Sequence, residues 1–200
     1  MKKDIIIAGV GGQGILSIAS VLGYTAVKAG LELKQSEVHG MSQRGGDVQS
    51  HLRISDKEIY SDLIPQGLAD LIVSVEPMES LRYLPWLCEN GWLITNSIPF
   101  INTIKYPDIE LLLNEINNFK NHILIDAEDI AKKSASARSA NMVMLGATSP
   151  FLGLTNEQLE DGIAGIFGRK GEKIVQQNID AFRAGKKFAE ENVNKILITK

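Results

Sequence analysis

Two glycine-rich stretches hold the residue types in this sequence that could do chemistry. The first is Gly9-Val10-Gly11-Gly12-Gln13-Gly14, in which Gly9, Gly11 and Gly14 have G-x-G-x-x-G spacing and Gly12 is an extra glycine. Between a strand and a helix, such a turn serves a phosphate group. The first glycine permits the turn, the second lets backbone N–H groups approach the ligand, and the third lets helix and strand pack closely, with the anion at the helix N-terminus. Any parallel-sheet domain also needs small residues where its first strand meets its first helix, so the motif alone leaves both readings open. The second stretch runs from Glu37 to Gly46. It interleaves Glu37, His39, Ser42, Gln43 and Arg44 with Gly40, Gly45 and Gly46. The planar fork of Arg44 suits a phosphate or carboxylate, and Gly45-Gly46 would leave backbone N–H groups accessible beside it. An ordinary exposed polar turn is the alternative.

Other chemistries find little support. His39, His51 and His122 lack H-x-H or H-E-x-x-H spacing, so no metal site is expected. Ser17, Ser36 and Ser42 stand outside any G-x-S-x-G elbow, and the first glycine turn is followed by Ile15 rather than the lysine of a P-loop. The single Cys88 excludes an internal disulfide and a self-contained iron–sulfur cluster, which normally takes four thiolates. After Trp86 and Leu87 it reads as a buried small hydrophobe. The chain has 200 residues, 44% hydrophobic and 22% charged, a net charge of -3 and a mean hydropathy of -0.01. These are ordinary soluble values that disfavour disordered, fibrous and membrane classes. No basic run marks a nucleic-acid partner, and no apolar run approaches a membrane span. A cytoplasmic location is expected.

The elements that must position the two stretches follow from periodicity. Asp4 to Val10 is a short buried strand. Ile15, Ile18, Ala19, Leu22, Ala26 and Ala29 form one helical face ending near Gly30, and Leu31 to Glu37 reads as a second strand. This is βαβ so far, with Glu32 and Glu37 as candidates for the acidic residue that would bind a dinucleotide ribose. Asp47 to Ile54 then alternates as a strand, and Glu58 to Ser61 reads as its antiparallel partner, a hairpin where a dinucleotide fold would place a helix. Further strands are expected over Leu68 to Val75, Trp92 to Asn96 and His122 to Asp126. Helices are expected from Pro77, over Pro85 to Asn90, over Asp108 to Asn118, over Ala127 to Leu145 with a break near Ser134 to Ser139, from a Thr155/Gln158 capping box to Phe167, and over Lys170 to Val193. The fold class is therefore α/β: a Rossmann-like, mainly parallel sheet with helices on both faces, an inserted antiparallel hairpin and a helical C-terminal part. No repeat or linker divides residues 1–200, which are expected to form one domain. Both glycine segments should lie at the carboxyl edge of the sheet, where α/β ligands bind.

Ile7 to Gly14, Glu37 to Gly46 and the strand Val48 to Arg53, in that order, resemble the gamma-type unit of the 2-oxoacid:ferredoxin oxidoreductases, with the indolepyruvate-oxidising branch as the nearest match. The resemblance continues through Leu63-Ile64-Pro65-Gln66-Gly67 and Glu76-Pro77-Met78-Glu79 to Asn141-Met142 and Leu145-Gly146. It implies a subunit that is inactive alone, with no catalytic residue and no cofactor of its own. A larger partner subunit would carry thiamine diphosphate, magnesium and iron–sulfur clusters, decarboxylate an aryl 2-oxo acid and pass electrons to ferredoxin, with coenzyme A capturing the acyl group. The one-cysteine count agrees with that division. The surface facing a ligand or this partner would comprise Gly9, Gly11, Gly12, Gln13 and Gly14 with Glu37, His39, Gly40, Ser42, Gln43, Arg44, Gly45 and Gly46. A free-standing dehydrogenase of Rossmann type, or a non-catalytic interaction module, are the alternatives.

Overall fold

The computed structural model describes residues 1–40 and 45–198. Strand β1 (Lys2–Val10) is the centre of the molecule, because Ile5, Ile6, Ile7 and Ala8 are all fully buried. Such an apolar run suits a strand covered on both faces, with successive side chains pointing to opposite sides. Ile5 and Ile7 join one apolar core, and Ile6 and Ala8 join the other. After helix α1 (Ile15–Lys28) come β2 (Glu32–His39) and β3 (Asp47–Ser55), then β4 (Ala69–Ser74), α2 (Pro77–Arg82) and β5 (Leu87–Asn96). The chain continues through α3 (Ile109–Asn117), β6 (His122–Ile125), α4 (Ala127–Ser134), α5 (Ala140–Thr148), α6 (Asn156–Phe167) and α7 (Glu172–Ile198).

The six strands lie in the order β2-β3-β1-β4-β5-β6. β1, β4, β5 and β6 are mutually parallel, while β3 runs antiparallel between β1 and β2. This corrects two expectations. The antiparallel hairpin exists, but β2 and β3 form it, so β2 is an edge strand and not a direct neighbour of β1. Residues 58–61 form no strand, because β3 already has hydrogen-bonded partners on both sides, Ser55 pairing with Lys2 and with Glu32. That segment is instead strapped down by Arg53, whose Nη1 donates to the carbonyls of Ser61 and Leu63, both at 3.0 Å. The same guanidinium grips the buried Asp4 with two bonds, at 2.7 and 3.1 Å, a paired geometry that compensates both buried charges.

A third correction concerns 85–91. The helical stretch is only a short turn at Leu84–Trp86, and β5 starts at Leu87 rather than Trp92. Gly91 lies inside the strand, where the pairing with β4 jumps from Ala69–Leu87 to Leu71–Trp92. The remaining helices fall where capping chemistry puts them. Asp108 caps α3, Asp126 caps α4, and Thr155 with Gln158 closes the capping box of α6. α5 and α7 cross at backbone contact, since a Cβ on Gly146 would lie 1.9 Å from the carbonyl of Phe182. Cys88 is half-buried on β5 rather than enclosed. No helix among the described residues is long and apolar enough to cross a membrane.

His51 is buried on β3, and its Nδ1 accepts the amide of Ile64 at 3.0 Å, which requires the neutral ring. Burial is the main cause that holds its pKa below the ordinary 6.5, opposed by Asp62 and aided by Arg53. The unfolded chain therefore takes up this proton first. The contribution to stability is complete above about pH 6.5 and is lost as pH falls through that value towards the folded pKa. Denaturant unfolding at pH 7.5 and pH 5.5 is expected to show lower stability at the acidic value. His51→Asn, whose Oδ1 can accept the same amide, should lessen the loss; an undiminished loss would assign it to other groups.

Candidate functional site

The turn after β1 and the ends of β2 and β3 meet at the carboxyl edge of the sheet. The register fixes this, because Val10 pairs with Asp47 and His39 pairs with Val48, which sets Gly40 and Gly46 beside the glycine turn. The amide of Gly11 donates to the carbonyl of Gly46 at 2.9 Å, and that of Gly40 to the carbonyl of Asp47 at 2.8 Å. Gly9, Gly11, Gly12, Gln13 and Gly14 are thus brought together with His39, Gly40, Gly45 and Gly46, whereas Glu37 lies further back on β2 opposite Ser50. Ser42, Gln43 and Arg44 lie outside the described residues.

Gln13 organises the turn. Its Oε1 accepts the amide of Val10 at 2.8 Å and its Nε2 donates to the carbonyl of Val75 at 3.3 Å, bridging the ends of β1 and β4. α1 lies against one face of the sheet with α5, α6 and α7, whereas α2 and α3 cover the other. Helices on opposite faces follow β1 and β4, which makes the gap between these strands a topological switch point. Gln13 spans that gap. Two N–H groups that the motif would offer to a phosphate, those of Val10 and Gly11, are therefore already used within the chain. Among the described residues, no partner is found for the amides of Gly12, Gly14, Ile15 and Leu16. Gly14 caps α1 with a left-handed backbone at φ 83° and offers no side-chain cap, so the positive end of the helix dipole is left open. A Cβ there would also lie 2.5 Å from Nδ2 of Asn141.

The two expected ribose acids serve no such role. Glu32 sits at the far end of β2, opposite Ser55, and Glu37 lies one strand further from β1 than a dinucleotide fold requires because β3 intervenes. Glu37 instead engages the side chains of Gln35 and His39.

Two clefts open from the turn. One, of about 670 Å³, is lined by Gly11, Gly12, Ile15 and Leu16 with His39 and Gly40. The other, of about 400 Å³, is lined by Gln13 and Gly14 with Asn96, Glu128, Arg138 and Asn141. None of these last four was expected at the site, although Asn141 belongs to a segment that carries the family resemblance. Asn96 is buried at the end of β5, with Oδ1 accepting the amide of Ala127 at 3.1 Å and Nδ2 3.0 and 3.2 Å from the carboxylate of Glu128. Its position at the carboxyl end of an apolar strand was the available signal. Asn141 Nδ2 reaches the carbonyl of Gly14 at 3.3 Å and ties α5 to the turn.

A third element borders this edge. The fully buried Glu76 caps α2 by accepting the amide of Glu79 at 2.9 Å, and its other oxygen accepts the amide of Phe100 at 3.3 Å and the Tyr106 hydroxyl. Burial, reinforced by that carboxylate, pushes the Tyr106 phenol upward, so it stays a donor across the physiological range. The neighbouring Glu79 is also pushed upward by burial, against the pull of Arg82. Asn102 Nδ2 reaches the carbonyl of Gly45 at 2.6 Å, which fastens the 97–108 loop to the hairpin.

Chemically, the described residues of this edge offer backbone donors and a helix start without a side-chain cap. Among the described residues, no group of three His, Cys, Asp or Glu could hold a metal. Such donors suit the binding of an anion. Gln13→Ala is expected to lower stability by about 2 kcal/mol, because it leaves two backbone groups at the strand ends without partners. Gln13→Glu should recover only the bond to the Val10 amide, and chemical denaturation of the three proteins checks this order.

A family model described as pyruvate ferredoxin/flavodoxin oxidoreductase matches residues 4–188. The chain is 37% identical to the indolepyruvate oxidoreductase subunit IorB of Pyrococcus horikoshii, over 97% of this chain and 100% of that protein. Among solved structures, the pyruvate oxidoreductase subunit PORC of Thermotoga maritima is similar with a TM-score of 0.71 and 25% identity, covering 93% of this chain and 96% of that one. The fold also recurs, with a TM-score of 0.75 and 24% identity, in a 2-oxoglutarate:ferredoxin oxidoreductase from Magnetococcus marinus solved with 2-oxoglutarate, coenzyme A and succinyl-CoA bound. That match covers 95% of this chain but 31% of the longer one. With a match that takes in almost all of its sheet and helices, this chain belongs to the pyruvate ferredoxin/flavodoxin oxidoreductase family.

Proposed function

We propose that this chain is the small, thiamine-free subunit of a ferredoxin-dependent 2-oxoacid oxidoreductase whose substrate is an aryl pyruvate of the indolepyruvate type. The observation that carries the reading is the similarity to an archaeal indolepyruvate oxidoreductase subunit over 97% of this chain and all of that one. The site agrees with it, because the described part of the carboxyl edge has donors for an anion. The larger subunit supplies thiamine diphosphate, magnesium and iron–sulfur clusters, and with them the decarboxylation and the electrons for ferredoxin.

This chain contributes an anion-receiving edge. The phosphates of coenzyme A suit the open amides of Gly12, Gly14, Ile15 and Leu16, with Arg44 supplying the charge that backbone dipoles alone lack. The two clefts on either side of the turn give the remainder of such a molecule somewhere to lie.

The complex purified without oxygen is expected to reduce ferredoxin with indolepyruvate in a coenzyme A-dependent reaction, and to do so far more slowly with 2-oxoglutarate. A reversed preference would refute the substrate class. For the anion edge, Arg44→Gln should weaken coenzyme A binding to the intact complex about tenfold by calorimetry, the cost of one charge-assisted contact. Unchanged affinity would leave the glycine edge a docking surface only.

A further inference from the structure

Between β5 and α3 the chain displays a crest of large apolar side chains that neither core uses. Ile98, Phe100, Ile101 and Ile104 are 39%, 43%, 64% and 105% exposed, within seven consecutive residues. Together they present an apolar surface on the order of a few hundred Å², the size that marks interaction sites on soluble proteins. A loop of this composition would be expected to fold its side chains inward. Here the backbone is fixed so that it cannot: Glu76 holds the Phe100 amide and the Tyr106 hydroxyl, Asn102 holds the carbonyl of Gly45, and the Ser97 amide donates to the carbonyl of Ile125 at 2.9 Å. A fully buried carboxylate is thus committed to keeping the crest raised.

We propose that this crest is the surface on which the larger, thiamine-bearing subunit docks. The proposal rests on the subunit reading given above. Two observations select that occupant. Through Asn102 the crest is continuous with the hairpin end at Gly45 and with the glycine turn that Gly46 meets, so a large partner that covers it also reaches that edge. In addition, the same fold makes up about a third of a single longer chain in the Magnetococcus enzyme. Where the unit is a separate chain, contacts that a covalent link would enforce at high effective concentration have to be made by an exposed apolar surface.

The test uses the full-length chain and the purified larger subunit, with affinity measured by biolayer interferometry. The triple variant Phe100→Ser, Ile101→Ser, Ile104→Ser is expected to bind at least tenfold more weakly than the wild type with little change in melting temperature, because none of these side chains belongs to either apolar core. Leu111→Ser, which removes an equally exposed apolar side chain on α3, is the control and should bind as the wild type does. A triple variant that binds within twofold of the wild type would overturn the crest proposal and leave the subunit reading intact. A wild-type chain with no affinity for the larger subunit would overturn both. If the triple variant instead abolishes self-association of the isolated chain in sedimentation, with docking unchanged, the crest joins copies of this chain and the proposal is wrong.

Discussion

The placement of β3 between β1 and β2 is the constraint on which the rest of the structure depends. A strand that enters the sheet antiparallel beside β1 has to begin where β1 ends, so Asp47 lies opposite Val10 and Gly46 lies at the glycine turn. The bond from the Gly11 amide to the Gly46 carbonyl is the direct result. The same insertion moves β2 to the sheet edge and takes Glu37 away from the position of a ribose-binding acid. One topological choice therefore removes a dinucleotide site and builds a composite edge from two glycine segments. Arg53, on that strand, closes the opposite end by holding both Asp4 and the 61–63 backbone.

Much of this was legible in the sequence. The Ile5 to Ala8 run, the α1 face and the Thr155/Gln158 capping box are local signals, and each produced its element. The family resemblance rested on the order of the two glycine segments and the strand after them, and the length-wide matches bear it out. Strand partners were less legible, because period-two alternation shows that Asp47 to Ile54 is a strand without saying which strands lie beside it. The turn signals at Pro85 and Gly91 were overridden by pairing of Leu87 with Ala69. At the site, Asn96, Glu128 and Asn141 are single polar residues far apart in the chain, and no periodicity marks such a set. The role of Gln13 was hidden for a related reason, since a glutamine inside a glycine motif gives no hint that it will satisfy Val10 and Val75.

Among the described residues, the carboxyl edge presents its donors on the backbone. A unit that only receives and encloses has reason to keep its donors on backbone fixed by packing, because amides at a helix start need no reorganisation when an anion arrives. The polar residues surrounding the turn are consistent with that economy. Gln13, Asn96, Asn141 and Glu76 are occupied in tying together strand ends, helix starts and the 97–108 loop.

The central claim is that this carboxyl edge is the working face of the subunit. Hydrogen–deuterium exchange of the chain, alone and in complex with the larger subunit, tests it most directly. The account predicts slowed exchange on complex formation at the amides of Gly12 to Leu16 and in the 97–105 segment, with the outer surface of α6 and α7 unchanged. Protection confined to α6 and α7, with the glycine turn exchanging as it does in the isolated chain, would contradict it.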